Sequence, residues 1–313
     1  MKKIATLLSI LLLVFAILPF TSLQNAQAKE KDLLISTKEE LIAFAESVNS
    51  GTSYKCKTVR QTADIDLGNT PFTPIGVFGG EKYFLGTYNG QGYTISNLNI
   101  PVIVSHNNGL FGMLGGTVIN VGIESGEIHG SCLGSITSHT APGYSATIIN
   151  CYSKAKLFPV VRAGGIVDNY AGRVINCWYY NEETPFSVVG YACTTKISCY
   201  EFKERTLSTN EQKQKFVNKI NSSLPKIMLE SNLSKSTKLN KYEIVDGNIE
   251  FSSKVATHPT FFSKDFLSFY KTEVILASVL VVATIAFIAF FIYVTKTDKK
   301  STTPTNEEQP NNK

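Results

Sequence analysis

Four histidines, His106, His129, His139 and His258, are the first residues to test for metal or general-base chemistry. No two stand in the His-Glu-x-x-His spacing that turns both imidazoles of one helix toward a zinc ion and sets a Glu to polarise its water. His129, Cys132 and His139 could meet at a turn. A zinc site, however, needs three or four ligands in fixed geometry, so no metal ligand is assigned. Paired carboxylates would carry glycoside hydrolysis if held ~5–9.5 Å apart. Acids are sparse between residues 58 and 200: Asp64, Asp66, Glu81, Glu124, Glu127, Asp168, Glu182 and Glu183. Asp64 and Asp66 can share one face of a strand, whereas Glu124 and Glu127 cannot, because strands have a period of two. No Gly-x-Ser-x-Gly elbow occurs. No catalytic residue, cofactor or metal is expected, and the chain is read as a non-enzyme.

Aromatic residues offer a different chemistry. Tyr170, Trp178, Tyr179, Tyr180, Phe186, Tyr191 and Tyr200 crowd one stretch, with the only Trp beside Cys177. Strand alternation sends Cys177 and Tyr179 one way and Trp178 and Tyr180 the other. If Cys177 points inward, Trp178 and Tyr180 are exposed. With Tyr144, from an excursion over Ser138–Ala146, they form the expected binding patch, suited to sugar rings or a protein partner. The competing reading packs them beneath residues 181–200. No block of Lys and Arg interleaved with aromatics lies between residues 29 and 270, so nucleic acid is excluded as a partner. The formal charge of +5 counts both ends of the chain and overstates that of the middle.

The elements that must position these residues are short and repeated. Thr94-Ile95-Ser96-Asn97-Leu98, Thr117-Val118-Ile119-Asn120-Val121, Thr147-Ile148-Ile149-Asn150-Cys151 and Arg173-Val174-Ile175-Asn176-Cys177 all read polar–apolar–x–Asn–apolar, their asparagines 23, 30 and 26 residues apart. Residues 109–120 align without a gap over 165–176. Units recurring at this period cannot bury an apolar face alone and must stack. From Thr58 to Tyr200 the chain consists of β-branched and aromatic runs between Gly, Asn and Pro turns. A sandwich gives no reason for one Asn phrase to return, whereas stacked coils would make Asn97, Asn120, Asn150 and Asn176 an amide ladder. A β-solenoid is therefore expected over 58–200.

Thr37-Lys38-Glu39-Glu40 is a capping box ahead of an apolar stripe, Leu41, Phe44, Ala45 and Val48, so residues 29–57 read as a helical cap covering the open first coil. Thr209 with Gln212 opens a second helix, and Asp246-Gly247 centres a hairpin, giving a helix-and-hairpin module over 201–255 that would seal the far end. Residues 256–272 read as a stalk. Six cysteines lie between residues 29 and 270. Cys193 and Cys199 flank a short loop and are the expected disulfide; Cys151 and Cys177 share one repeat position, where a cross-coil bridge and two stacked thiols fit equally.

The ends speak of location. Residues 1–28 carry Lys2 and Lys3, an apolar run and Ala26-Gln27-Ala28, the parts of an export signal. Val274 to Val294 contains 21 residues without a charge, long enough to span a bilayer. A transmembrane helix is expected over 273–295, with a cytoplasmic tail over 296–313 following from the basic excess after it.

Asp64-Ile65-Asp66-Leu67-Gly68, Phe72-Thr73-Pro74-Ile75-Gly76, Phe84-Leu85-Gly86-Thr87-Tyr88-Asn89-Gly90 and Tyr93-Thr94-Ile95-Ser96-Asn97-Leu98, after the capping box, resemble the opening of many Gram-positive surface proteins. Gly109-Leu110-Phe111-Gly112 with Gly116-Thr117-Val118-Ile119-Asn120, and Gly165-Ile166-Val167 with Arg173-Val174-Ile175-Asn176-Cys177, look like the GLUG repeat, which also accompanies some bacterial immunoglobulin A1 metallopeptidases. The resemblance covers about residues 36–200. It implies a right-handed parallel β-helix on a bacterial surface and implies no catalytic residues. The expectation is thus a mainly β, membrane-anchored extracellular protein that binds a glycan or a surface or host protein. A scaffold without a ligand is the alternative, and a carbohydrate-active enzyme the third.

Overall fold

The structure, a computed structural model, describes residues 32–300 apart from 78–80, 103–106, 202–206, 232, 234, 260–262, 264 and 266–269. Residues 1–28, expected to be an export signal, and most of the tail lie outside the described residues, as do eight of the seventeen residues of the expected stalk.

Between residues 33 and 201 the short strands wind into a parallel β-solenoid of about five turns. Its first face stacks 33–35, 58–61, 87–89, 117–119, 146–149 and 167–175, with the extra strands 111–114, 137–140 and 189–197 joined to it. The second face stacks 65–66, 94–96, 122–123, 152–153, 178–179 and 200–201. The third is shorter, formed by 98–100, 126–134 and 156–164 with 107–108. Every pairing among these strands is parallel.

What turns the chain from face to face is a left-handed backbone residue. Asn120, Asn150 and Asn176 hold φ of 54°, 55° and 54° between the first and second faces. Among non-glycine residues Asn tolerates this region best, because its short polar side chain bonds locally. That local demand explains the recurring asparagine. The interior is apolar, and at the amino end it is aromatic: Phe44, Phe84, Tyr88 and Phe111 meet with ring centroids 5.5–5.9 Å apart.

Helix α1 (Lys38–Asn49) carries the expected capping box and buries Leu41, Phe44, Ala45 and Val48 over the first coil. Helix α2 (Asn210–Glu230) is likewise capped by Thr209 and Gln212. The hairpin Leu239–Val245 and Asn248–Ala256 turns at Asp246-Gly247, both at positive φ, as a tight two-residue loop requires.

Four expectations are corrected. First, the helix-and-hairpin module does not seal an end. It lies along the side of the solenoid, where Leu224, Ile227, Met228 and Leu239 cover Ile119, Ile149 and Ile175. Those isoleucines occupy the outward x position of the Asn phrase and would otherwise face water. Second, Asn97 does not stack with the other three asparagines. It turns the chain from the second face to the third, and its amide donates to Asp66 Oδ1 at 2.8 Å. Its 23-residue interval to Asn120 joins two different corners, whereas register partners such as Thr87 and Thr117 are 30 apart.

Third, Cys193 and Cys199 are not bridged. Cys199 is a thiol whose Sγ lies 3.2 Å from Val174 O. It extends the column of Cys151 and Cys177, and Ser198 (φ 49°) replaces the corner Asn before it. A side chain directed into the coil at 199 cannot serve a surface loop bridge. Fourth, no transmembrane helix is found. Helix α3 covers Lys271–Lys300, but among the described residues no helix is long and apolar enough to cross a membrane.

Candidate functional site: a polar groove beside an amide ladder

The site is built on the outer face of the first sheet. Thr58, Thr87, Thr117 and Thr147 are consecutive register partners and form one column of β-branched residues. Two residues along runs a second column, Arg60, Asn89, Ile119, Ile149 and Ile175. Its character changes partway: polar in the first two coils, apolar from Ile119 onward. The C-terminal module covers the apolar part and leaves the polar part open.

A groove of about 910 Å³ results, lined by Thr58, Thr87 and Thr117 from the first sheet and by residues 236–238 and Phe251–Ser253 from the C-terminal module. Arg60, Lys238 and Asp64 bring charge to its rim. Arg60 is ion-paired with Asp32. Asp64 Oδ1 accepts from Thr94 N at 2.7 Å and Thr94 Oγ1 at 2.9 Å, so that carboxylate is largely occupied. Tyr93 stands on the turn Asn89-Gly90-Gln91-Gly92 and is 37% exposed.

This turn is rigid for stated reasons. Asn89 Oδ1 accepts from Gln91 N at 2.9 Å, and Gln91 Nε2 donates to Gln61 O at 2.7 Å. Gly92 (φ 85°) lies against the Asn240 amide, and a Cβ there would meet Asn240 Nδ2 at 2.4 Å. Only glycine permits that approach of the hairpin.

The hairpin is held by the ladder itself. Asn150 Nδ2 donates to Asn120 Oδ1 and Asn176 Nδ2 to Asn150 Oδ1, both at 2.8 Å. The second proton of each lower amide goes to the module: Asn120 Nδ2 to Lys238 O and Asn150 Nδ2 to Asn240 O, both at 2.9 Å. Asn240 N returns a bond to Asn120 Oδ1 at 3.1 Å, and Ser223 Oγ donates to Asn176 Oδ1 at 2.9 Å. One column of side chains therefore spaces the coils and also positions the groove wall.

Glu250 precedes Phe251 in the second hairpin strand and belongs to an acidic group with Glu124, Asp246 and Asp64. Burial raises the carboxyl pKa of Glu250, Glu124 adds to the rise, Lys154 opposes it, and Asp246 and Asp64 add further. Glu124 is engaged by Lys154 at 2.6 Å and by the Tyr152 hydroxyl.

The residues expected to form a binding patch do not converge. Trp178 is 1% exposed: it stacks on Tyr152 (4.6 Å, 4°) and is covered by Phe216 and Tyr242. Alternation sent it outward as expected, but the C-terminal module packs on that surface, so it is core. Tyr180 packs partly buried against the same cluster and donates to Glu182 Oε1 at 2.7 Å. Tyr144 is exposed but distant in the coil, its ring 6.5 Å from Tyr83. Most of the Ser138–Ala146 excursion is ordered locally: Ser138 is buried and donates to Gly112 O, and residues 137–140 are a strand. Of the histidines, His129 stacks on Phe158 and His258 Nε2 lies 3.1 Å from Leu233 O, while His106 lies outside the described residues. No cluster able to hold a metal ion occurs among the described residues.

Sequence reasoning missed the groove. The one signal was the change in the second column from Arg60 and Asn89 to Ile119 and Ile149, which becomes visible only once the 30-residue register is known.

No family model and no curated protein matches the chain. One solved structure is similar to it, a "putative immunoglobulin A1 protease from Bacteroides ovatus", at 17% identity and a TM-score of 0.35, covering 55% of this chain and 64% of that one. The chain thus spans just under two thirds of the length of that neighbour.

Proposed function

We propose that the chain is a binding module that holds an extended polar ligand, an oligosaccharide chain, in the groove between its first sheet and its C-terminal hairpin. The observation that carries this reading is the open half of the threonine column. Thr58, Thr87 and Thr117 present hydroxyls at the strand repeat of ~4.8 Å along one line. A regular row of donors and acceptors suits a ligand with its own regular row of hydroxyls. Tyr93 supplies an aromatic face of the kind sugar rings stack on, and Asn89, Gln91 and Lys238 supply further polar contacts. The groove volume falls within the range of ligand sites, roughly 300–1,000 Å³.

An export signal over residues 1–28 supports a location outside the cell. The glycine and asparagine phrases that resemble the GLUG repeat support a surface role. No carboxylate pair is assigned to catalysis, so binding without turnover is the reading taken.

The test is a glycan array probed with the purified chain, followed by titration calorimetry on the strongest hit. Tyr93→Ala and Thr87→Val are each expected to weaken binding about fivefold or more, near 1 kcal/mol, with unchanged circular dichroism. Folded protein that binds nothing on the array, or a hit indifferent to both substitutions, would overturn the proposal.

A further inference from the structure

The hairpin that walls the groove is charged unevenly along its length. Near its turn Glu243 pairs in register with Glu250, close to Asp246. Its open end carries Lys235, Lys238, Lys241 and Lys254, with no acid among residues 235–242 or 251–256. The groove lies at this basic end. Lys238 lines it, and Lys235 and Lys254 adjoin the lining residues Ser236 and Ser253. Ion pairs and hydrogen bonds among the described residues engage other ammonium groups, those of Lys154, Lys156, Lys213 and Lys226. They leave those of Lys235, Lys238, Lys241 and Lys254 without a partner among the described residues.

The sheet side of the groove also has donors to spare. Arg60 gives Nε to Asp32, and its two Nη groups have no partner among the described residues. Asn89 is held through Oδ1, which leaves its Nδ2 uncommitted. Asp64 is the one carboxylate among the described lining residues, and Thr94 already gives two hydrogen bonds to its Oδ1. Arg60 and Ile119 stand two strand spacings apart in one column, roughly 10 Å. The Asn120 amide ties Lys238 beside Ile119. A cation therefore stands at each end of this column, with Thr87 and Asn89 between them. Donors left over in a groove whose one carboxylate is occupied call for a ligand that brings anionic acceptors.

We propose that the groove selects an acidic oligosaccharide, one whose sugar carboxylates reach Arg60 at one end and Lys238 at the other. The inference rests on the reading of the groove as an oligosaccharide site and narrows it to one class. The guanidinium offers its free Nη pair in the planar fork that a carboxylate accepts, whereas Lys238 acts as a mobile point charge. Between them the threonine hydroxyls and the Asn89 amide meet the hydroxyls of the sugar rings. The lysines of the open end draw such a chain in, and salt screens that attraction.

The experiment presents the intact chain with an array of uronic-acid oligosaccharides, each beside its carboxyl-reduced neutral form, and titrates the strongest pair. The acid is expected to bind at least about tenfold tighter than its reduced form at low salt, the gap shrinking as salt is added. Lys238→Met and Arg60→Gln are each expected to narrow that gap about fivefold. Lys215→Met, at an exposed lysine of α2 outside the groove lining, is expected to leave it unchanged. Equal binding of acid and reduced form would overturn the acidic class and leave the groove reading standing. Folded protein that binds neither form of any pair nor any neutral glycan would remove both. A gap narrowed as much by Lys215→Met as by Lys238→Met would overturn the proposal in favour of unspecific attraction of polyanions. A loss from Lys238→Met shared equally by the two forms would also count against it. Should Arg60→Gln unfold the chain by releasing Asp32, Lys238→Met decides, since that side chain is exposed.

Discussion

Asn150 donates one proton of its side-chain amide to Asn120 across the coil and the other to the backbone oxygen of Asn240, at 2.8 and 2.9 Å. Asn120 and Asn240 are 120 residues apart. The residue that solves a local backbone problem at a coil corner therefore also anchors a module that folds much later in the chain.

Replacing Asn150 separates the two roles. Asn150→Gly keeps the left-handed backbone and removes the bonds; Asn150→Ala removes both. Urea unfolding is expected to show a loss of about 2–3 kcal/mol for glycine, from buried partners left unpaired, and about 1 kcal/mol more for alanine. Asn97→Gly, at the half-buried corner beside Asp66, is expected to cost less than Asn150→Gly.

Trp178 provides an optical test of the covered face. As the only tryptophan it should emit in the blue and resist acrylamide quenching in the native chain. Trp178→Ala is expected to cost about 3–5 kcal/mol by cavity formation. A red, readily quenched emission would show that the C-terminal module does not lie where it is described.

The thiols should react in order of exposure. Cys56 is exposed, whereas burial pushes the Cys177 thiol well above its usual range, with Cys151 beside it adding to the effect. Maleimide labelling near pH 8 followed by mass spectrometry is expected to modify Cys56 within minutes and Cys151 and Cys177 only after unfolding.

The carboxyl of Glu250 sets a pH dependence. Its folded pKa is raised, so the native state binds the proton more tightly than the unfolded chain does. The stability this contributes is complete below the unfolded pKa, near 4.3, and is lost as pH rises through the folded value. Glu250→Gln should therefore flatten the decline of stability between about pH 4 and neutrality and leave the chain more stable at pH 7. An unchanged slope in thermal melts across that range would refute it.

How much could be read in advance follows from the range of each interaction. The capping boxes of α1 and α2 and the Asp246-Gly247 turn were legible because they involve residues two to four apart. The periodic phrase announced stacked coils, and three of its four asparagines stack. The fourth, Asn97, satisfies the same left-handed requirement at a different corner, and the motif cannot tell corners apart. Ser198 occupies a corner the motif did not include, which is why Cys199 was assigned to a surface loop bridge and not to the core column.

By itself the chain determined a β-solenoid with an amino-terminal helical cap, since corner residues, caps and apolar alternation act over a few positions. Only the tertiary structure decided which surface is free. Leu224, Ile227, Leu239 and Tyr242 come from the far end of the chain, and where they pack made Trp178 core and left Thr58, Thr87 and Tyr93 lining a groove. An outward-facing residue is exposed or buried according to what is packed over it, and no local pattern records a neighbour a hundred residues away.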